Sequence, residues 1–397
     1  MHWVEVERPM ARQISRAAAT QILRAALEKS PDRLALNERL GATLMEEGKH
    51  LEAIAAFRAR AEAEPAQFTS WGRLAQCHLE VGEPAAALEI CCLVHGQGAG
   101  VARACGGALE ALGRPEEALE EYRRAFAEDC KDEAALEAVL RCLCRASDAA
   151  PLLEFCEALP AATRYEAQRK AFRALAFSRL GRLDEANALI DPERHVMTFR
   201  FEPPAAFAGV EQFNARLAAW LTANTGSTPT PRPDFVLDHG LSYMRDPLLQ
   251  DLRAFVRDSF DTYIAELPAL GLDGLLPPPE AGRLVDWVAF LRNDDRNGEH
   301  VHPGGFLSGV YYVQAPEIVR TGSDLRGCLA LGRCENLTAG YEPAWGVRYV
   351  KPEPGMLVVF PAHMFHDVVP TRSREQRIAI GFNVALVSLT ACRPIGR

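Results

Sequence analysis

A glycine recurs at a fixed beat through the first half of the chain. In "GKHLEA", "GEPAAA", "GRPEEA" and "GRLDEA", Gly48, Gly82, Gly113 and Gly181 each stand five residues before an alanine: Ala53, Ala87, Ala118 and Ala186. Successive glycines are 34, 31 and 68 residues apart, and the last interval is twice the first. A period near 34 residues belongs to a helix–turn–helix unit, which cannot bury its apolar face alone and stacks on copies of itself. The glycine closes the first helix in the left-handed conformation that side chains disfavour. The alanine lets the second helix lie close to the first. Pro65 falls between units, where a helix has to stop. The stretch "CRASDAAPLLEFCEALP" keeps the register without the glycine, which predicts a degenerate unit. On this reading residues 12–192 form an all-α solenoid.

With 397 residues, 48% of them hydrophobic, the chain can bury two or three cores. A net charge of −9 with no dominant basic patch argues against a nucleic-acid partner. The opening "MHWVEVERPMARQISRAAA" lacks the apolar stretch of a secretion signal, and no run of about 18 apolar residues follows. The expected compartment is the cytoplasm, without membrane contact. Of the 11 cysteines, eight lie between Cys77 and Cys156 in Ala/Leu-rich segments. An odd number, with no two CxxC pairs, predicts reduced, buried thiols rather than disulfides or a zinc site.

Composition changes after residue 195. Residues 193–234 read as a linker and the start of a second domain, with "STPTPRPDF" a Pro/Thr-rich loop. "DPLLQDLRAFVRDSFDTYIAEL" places Leu248, Leu252, Phe255 and Phe260 at helical spacing. From about 283 onward, short β-type runs are separated by Gly/Pro turns: "RLVDWVAFLRN", "FLSGVYYVQ", "GCLALG", "VRYVKP", "GMLVVFPA", "RIAIGFNVALVSL". That pattern predicts a sandwich or barrel over 235–397, with the double-sheet jelly roll as one way to protect its edges. The fold class is thus multidomain α + β: a helical-repeat solenoid, then a jelly roll with supporting helices.

The second half also carries a candidate site. In "EHVHPGGFLSGVYYV", His300 and His302 share one face of an extended segment while Val301 points away. Two imidazoles so placed can ligate one ion. A third ligand is expected from "PGMLVVFPAHMFHDVVP", where His366 opens the extended piece after a buried strand. His363 competes for that role. Eleven residues on, Arg377 begins a strand on which Arg377, Ala379, Gly381 and Asn383 share a face. The small residues leave room beside an always-charged guanidinium, which favours a carboxylate. Three protein ligands on one face of Fe(II) leave three positions open. A keto acid can fill two with its far carboxylate on Arg377, and O2 can take the last. Trp287, Asn293 and His239 are candidates for the wall of a substrate pocket.

Two resemblances follow from these residues. Leu40-Gly41, Gly48, Ala53, Phe57 and Pro65, then Trp71, Leu74, Ala75, Gly82 and Ala87, then Tyr122 and Ala125, resemble tetratricopeptide repeats. That family implies a concave scaffold that binds a peptide or protein, or joins two copies into a homodimer. Residues 235–385 resemble the Fe(II)/2-oxoglutarate-dependent dioxygenases, through His300, His302, Pro303, Ser308-Gly309-Val310-Tyr311-Tyr312, Gly355, Leu357, Phe360-Pro361, His366, Val368, Pro370, Arg377 and Phe382-Asn383. The resemblance, closest to prolyl-hydroxylase-like members, implies iron, 2-oxoglutarate and O2. It places Tyr312 near the co-substrate carboxylate, with Ser308 and Asn383 beside it. The chain departs from most of that superfamily in having His-x-His where a carboxylate follows the first ligand. Either His302 replaces the carboxylate, or it stands behind the metal and water completes the sphere. The departure keeps two other readings open: a three-His dioxygenase that needs no keto acid, and a repeat adaptor whose β-domain has lost turnover.

Overall fold

The computed structural model describes residues 1–4, 16–30, 33–94, 96–160, 164–225, 241, 244, 246–277 and 279–386. Internal contacts divide these residues into two compact units, one of residues 16–146 and one of residues 1–4 with 147–386. Among the described residues no helix is long and apolar enough to cross a membrane.

The first unit is all helix: α1 (Arg16–Lys29), α2 (Leu34–Glu46), α3 (His50–Ala63), α4 (Phe68–Glu80), α5 (Pro84–Leu93), α6 (Ala99–Ala111), α7 (Pro115–Glu128) and α8 (Glu133–Arg145). The glycine beat does what its chemistry requires. Gly48, Gly82 and Gly113 have φ of +74°, +83° and +76°, and each follows the first helix of a pair. Ala53, Ala87 and Ala118 are fully buried where the second helix crosses the first. A second small position tightens each crossing: a β-carbon on Gly41 would sit 2.7 Å from the Phe57 ring, and one on Gly106 2.6 Å from Tyr122. These are tetratricopeptide-like repeats. The described cysteines are free thiols, and Cys77, Cys91, Cys105, Cys144 and Cys156 are buried as expected. Cys92 is exposed and Cys142 half-buried because they fall on the outer sides of their helices, and Cys130 is half-buried in the turn after α7.

The degenerate stretch coincides with the division between the units. Ala146 leaves α8 in an extended conformation (φ −62°, ψ 150°) where the other turns use glycine. Helices α9 (Ala150–Ala158), α10 (Glu166–Arg179) and α11 (Leu183–Leu189) continue the repeat pattern, with Gly181 at φ +74°, but belong by contact to the second unit. Lys170 of α10 donates to the carbonyl of Leu275 (2.7 Å), and Ser178 meets the Tyr341 hydroxyl (2.9 Å). Periodicity therefore runs to residue 192, while compactness assigns its last helices to the β-rich unit.

That unit is built on two sheets. Its strands are β1 (His2–Trp3), β2 (Met197–Arg200), β3 (Ala281–Leu291), β4 (Gly305–Gln314), β5 (Leu329–Leu331), β6 (Arg348–Val350), β7 (Met356–Pro361), β8 (His366–Val368) and β9 (Arg377–Leu386). The large sheet runs β1-β3-β9-β4-β7-β2 and the small one β6-β5-β8. Only β1 pairs in parallel, so the sheet is mixed and curls into a jelly-roll-like form. Period-2 alternation sets its two faces. Leu284 and Val288 of β3, Tyr311 of β4, Leu357 of β7 and Ile380 of β9 meet helices α12 (Val210–Thr225) and α13 (Pro247–Ala265) through Phe213, Leu217, Leu252 and Phe260. Asp246 caps α13 by accepting from the amide of Leu248 (3.0 Å), with Pro247 in the first turn. The opposite parity, Trp287, Ala289, Ser308, Val310, Phe360, Arg377 and Ala379, looks inward and, with Leu329 and Val368 of the small sheet, lines a pocket.

Candidate metal centre

His300, His302 and His366 converge, each offering a ring nitrogen within 4.8 Å of the others. Backbone pairing brings them there. His300 and His366 form an antiparallel bridge, exchanging two N–H···O bonds of 3.1 Å. The His302 amide donates to Ala362 (3.0 Å) at the end of β7. A carbonyl can only accept, so two tautomers are fixed. His300 Nδ1–H donates to Gly298 O (2.6 Å), and His366 Nδ1–H donates to Met364 O (3.0 Å). Both rings then carry their lone pair on Nε2, as metal-binding imidazoles do. His302 Nε2 and His366 Nε2 are 3.1 Å apart. Two nitrogens on adjacent corners of an ion, with bonds of about 2.1 Å, are separated by about 3 Å. Burial, and then the neighbouring rings, push His302 and His366 well below the usual imidazole range and hold both neutral.

The carboxylates that precede His300 in the chain do not join the cluster. Glu299 accepts from the amides of Asn336 (2.8 Å) and Leu337 (3.1 Å), and Asp295 from the amide of Arg292 (2.9 Å). Asp294 is exposed, 4.0 Å from Arg372. His363, the rival for the third position, donates from Nε2 to Leu189 O (2.8 Å) and is not in the cluster.

Arg377 is the largest fully buried side chain of the fold, 1% exposed. Its Nε and Nη2 have no hydrogen-bond partner, nor has the Tyr312 hydroxyl, whose ring centroid lies 5.1 Å from the guanidinium carbon. Nε and Nη2 share one edge of the planar group, the edge that takes a carboxylate in a bidentate fork. A buried charge left unpaired is costly, so the donor set fits an anionic ligand and the three imidazoles fit a divalent metal. Burial raises Tyr312 to about 12, although the Arg377 charge pulls the other way; its hydroxyl stays a donor. Ser308 lines the pocket, but its hydroxyl is given to Asn383 Oδ1 (2.8 Å), the residue opposite it in the β4–β9 register.

Trp287 lines the pocket and lies 5.1 Å, centroid to centroid, from His302. Its indole occupies the space above Gly381, where a β-carbon would come within 2.2 Å. Room beside Arg377 is therefore left by Ala379, while the glycine accommodates the tryptophan. Asn293 does not line the pocket. It is an exposed turn residue at φ +50°, a conformation asparagine tolerates, with its carbonyl bound by the amide of Arg372 (2.7 Å). His239 lies outside the described residues. Asn297 and Phe360 line the pocket without having been expected there, although Phe360 belongs to the dioxygenase-like motif. Strand parity in "MLVVFP" would have found Phe360, whereas nothing periodic marks Asn297 in its loop.

A two-sheet, jelly-roll-like fold thus brings onto its inner faces three histidines that fit a divalent metal and a buried arginine that fits a carboxylate. Residues 286–383 match the family model described as "Putative 2OG-Fe(II) oxygenase", a span holding all three histidines and Arg377. No curated protein matched the chain. Among solved structures, a Pseudomonas putida prolyl-4-hydroxylase is 15% identical, covering 49% of this chain and 94% of its own, with a TM-score of 0.32. The first TPR domain of the human RPAP3 protein is 20% identical, covering 28% and 91%, with a TM-score of 0.26. YrrB, a TPR protein with an unusual peptide-binding site, is 13% identical, covering 43% and 89%, with a TM-score of 0.32. The chain thus joins tetratricopeptide-like repeats to a C-terminal segment that matches the "Putative 2OG-Fe(II) oxygenase" family over residues 286–383.

Proposed function

We propose that the protein is an Fe(II)- and 2-oxoglutarate-dependent hydroxylase. His300, His302 and His366 hold the iron, His302 standing where related sites use a carboxylate. Bound iron supplies the activation of O2 that converts 2-oxoglutarate to succinate and CO2 and inserts the other oxygen atom into an unactivated C–H bond of the substrate. The chain's own residues bind and orient. Arg377 grips the far carboxylate of 2-oxoglutarate through Nε and Nη2, and Tyr312 donates its hydroxyl to the same group. Ser308 and Asn383 brace the strands on which those two stand. Phe360, Val310 and Leu329 keep the inner pocket dry, and Trp287 forms its wall towards the substrate. The repeats recruit a peptide or protein substrate, or join two copies, and the protein acts in the cytoplasm.

The observation that carries this reading is the unpaired Nε/Nη2 edge of buried Arg377, in the same pocket as three convergent imidazoles. The test is succinate release by the intact, iron-loaded chain given 2-oxoglutarate and O2, screened against peptides and small metabolites. Release that depends on 2-oxoglutarate and disappears in His366→Ala is the expected result. Bound iron with no 2-oxoglutarate consumption under any condition would leave a keto-acid-independent dioxygenase or an adaptor.

A further inference from the structure

The segment between β7 and β8, residues 362–365, holds two of the three imidazoles through its backbone. Its Ala362 carbonyl receives the amide of His302 (3.0 Å), and its Met364 carbonyl fixes the tautomer of His366 (3.0 Å). Gly332 donates to the Phe365 carbonyl (2.6 Å), tying the segment to the end of β5. Its other side meets the last pair of repeat-like helices. His363 Nε2–H donates to Leu189 O (2.8 Å), the final residue of α11, where a helix has carbonyls without intrahelical partners. Phe365 stands edge-on to Phe172 of α10, 5.3 Å between centroids at 86°. His363 and Phe365 are both 2% exposed or less. The α10–α11 pair is thus the mount of the segment that aims two of the three imidazoles.

We infer that His363 is a positioning residue for the metal centre, anchoring the His302 and His366 ligands to helix α11. The inference rests on the reading that these histidines bind a metal. Losing the His363 bond frees the loop whose carbonyls orient both ligands. A hydrogen bond made directly to a ligating histidine is worth about 10–100-fold in metal affinity, and the His363 bond acts one step further out, through the loop backbone.

The test uses the full chain and Co(II), whose visible spectrum reports ligand geometry. His363→Ala, with far-ultraviolet circular dichroism unchanged, binds Co(II) more weakly, by up to about 10-fold, and with an altered spectrum. His363→Gln places an amide N–H near the same carbonyl and restores both affinity and spectrum. Phe172→Leu, which loosens the mount from its other side, weakens Co(II) binding even if His363→Ala does not fold. Phe213→Leu, a loss of packing on the far side of the large sheet, lowers stability and leaves Co(II) binding alone. A His363→Ala or Phe172→Leu protein with wild-type affinity and spectrum overturns the inference and leaves the metal reading standing. A wild-type chain that takes up no Co(II) overturns both.

Discussion

Arg377 and His302 carry the two claims that the pocket makes about its ligands. Arg377 is buried with an unpaired edge, and its charge cannot be shed the way a lysine's can. Replacing it with methionine keeps much of the volume and removes the fork. The loss should cost about 2–5 kcal/mol of 2-oxoglutarate binding, which raises the dissociation constant by roughly 30-fold or more. Calorimetric titration of the metal-loaded Arg377→Met protein checks this, and an unchanged constant would remove the carboxylate from that position. His302 is the departure from the usual ligand set. Its Nε2 lies 3.1 Å from that of His366, a separation suited to one shared ion. His302→Ala should lower Fe(II) affinity in an anaerobic titration, while His302→Asp restores a ligand carboxylate and should retain iron. Full affinity in His302→Ala would mean that water fills that slot.

At the scale of elements, the helix pairs and strands show what their residues could announce in advance. The repeat glycines do two separable things. Gly113 has open space around its missing β-carbon but φ of +76°, so Gly113→Ala meets only backbone strain of about 1–2 kcal/mol. Gly106 sits in ordinary helix with Tyr122 pressed against it, so Gly106→Ala forces the helices apart and should cost about 1–3 kcal/mol. Urea unfolding of each variant measures the two, and a neutral Gly106→Ala would mean that the α6–α7 crossing yields freely. Gly113 and its beat were legible because local conformation demands glycine there. The shared face of His300 and His302 and the inward parity of Arg377 were legible for a similar reason, since a strand alternates regardless of its partners. The bridge between His300 and His366 was not, because it depends on two segments more than sixty residues apart meeting in register. The spacing from His366 to Val368, Pro370 and Arg377 already favoured it over His363, but the partner that takes His363, a carbonyl of α11, was not legible. Asn293 misled because a polar residue just past a pocket strand looks like a pocket residue until its left-handed φ shows it to be the turn.

The whole molecule responds to acid and to truncation in ways that follow from its burial pattern. His195 and His363 are buried neutral, pushed down to about 4 and about 3 chiefly by burial. His195 Nδ1 accepts the amide of Asp191 (3.1 Å), so that ring has no free site for a second proton; at His363 the bond to Leu189 O favours the charged ring, but burial outweighs it. In the unfolded chain both titrate near 6.5. Below that pH the unfolded state binds protons that the folded state refuses, so stability falls from about pH 6.5 towards pH 4, by up to about 1.4 kcal/mol per unit for each ring. Urea midpoints at pH 7.5 and 5 should show this, and His195→Asn should flatten the slope. Truncation separates the repeat pattern from the compact units. A fragment of residues 147–397 keeps α10 and α11, and with them the Lys170–Leu275, Ser178–Tyr341 and His363–Leu189 bonds and the Phe172 face. A fragment of 191–397 removes all four, although the sequence pattern alone would make residue 192 the natural place to cut. Both fragments lack β1, so its loss cancels between them. The longer fragment should bind Co(II) like the full chain and release succinate from 2-oxoglutarate, while turnover of a substrate recruited by the repeats falls. The shorter should lose the metal or fail to fold. Wild-type Co(II) binding by residues 191–397 would show that the β-rich unit stands without the α10–α11 pair.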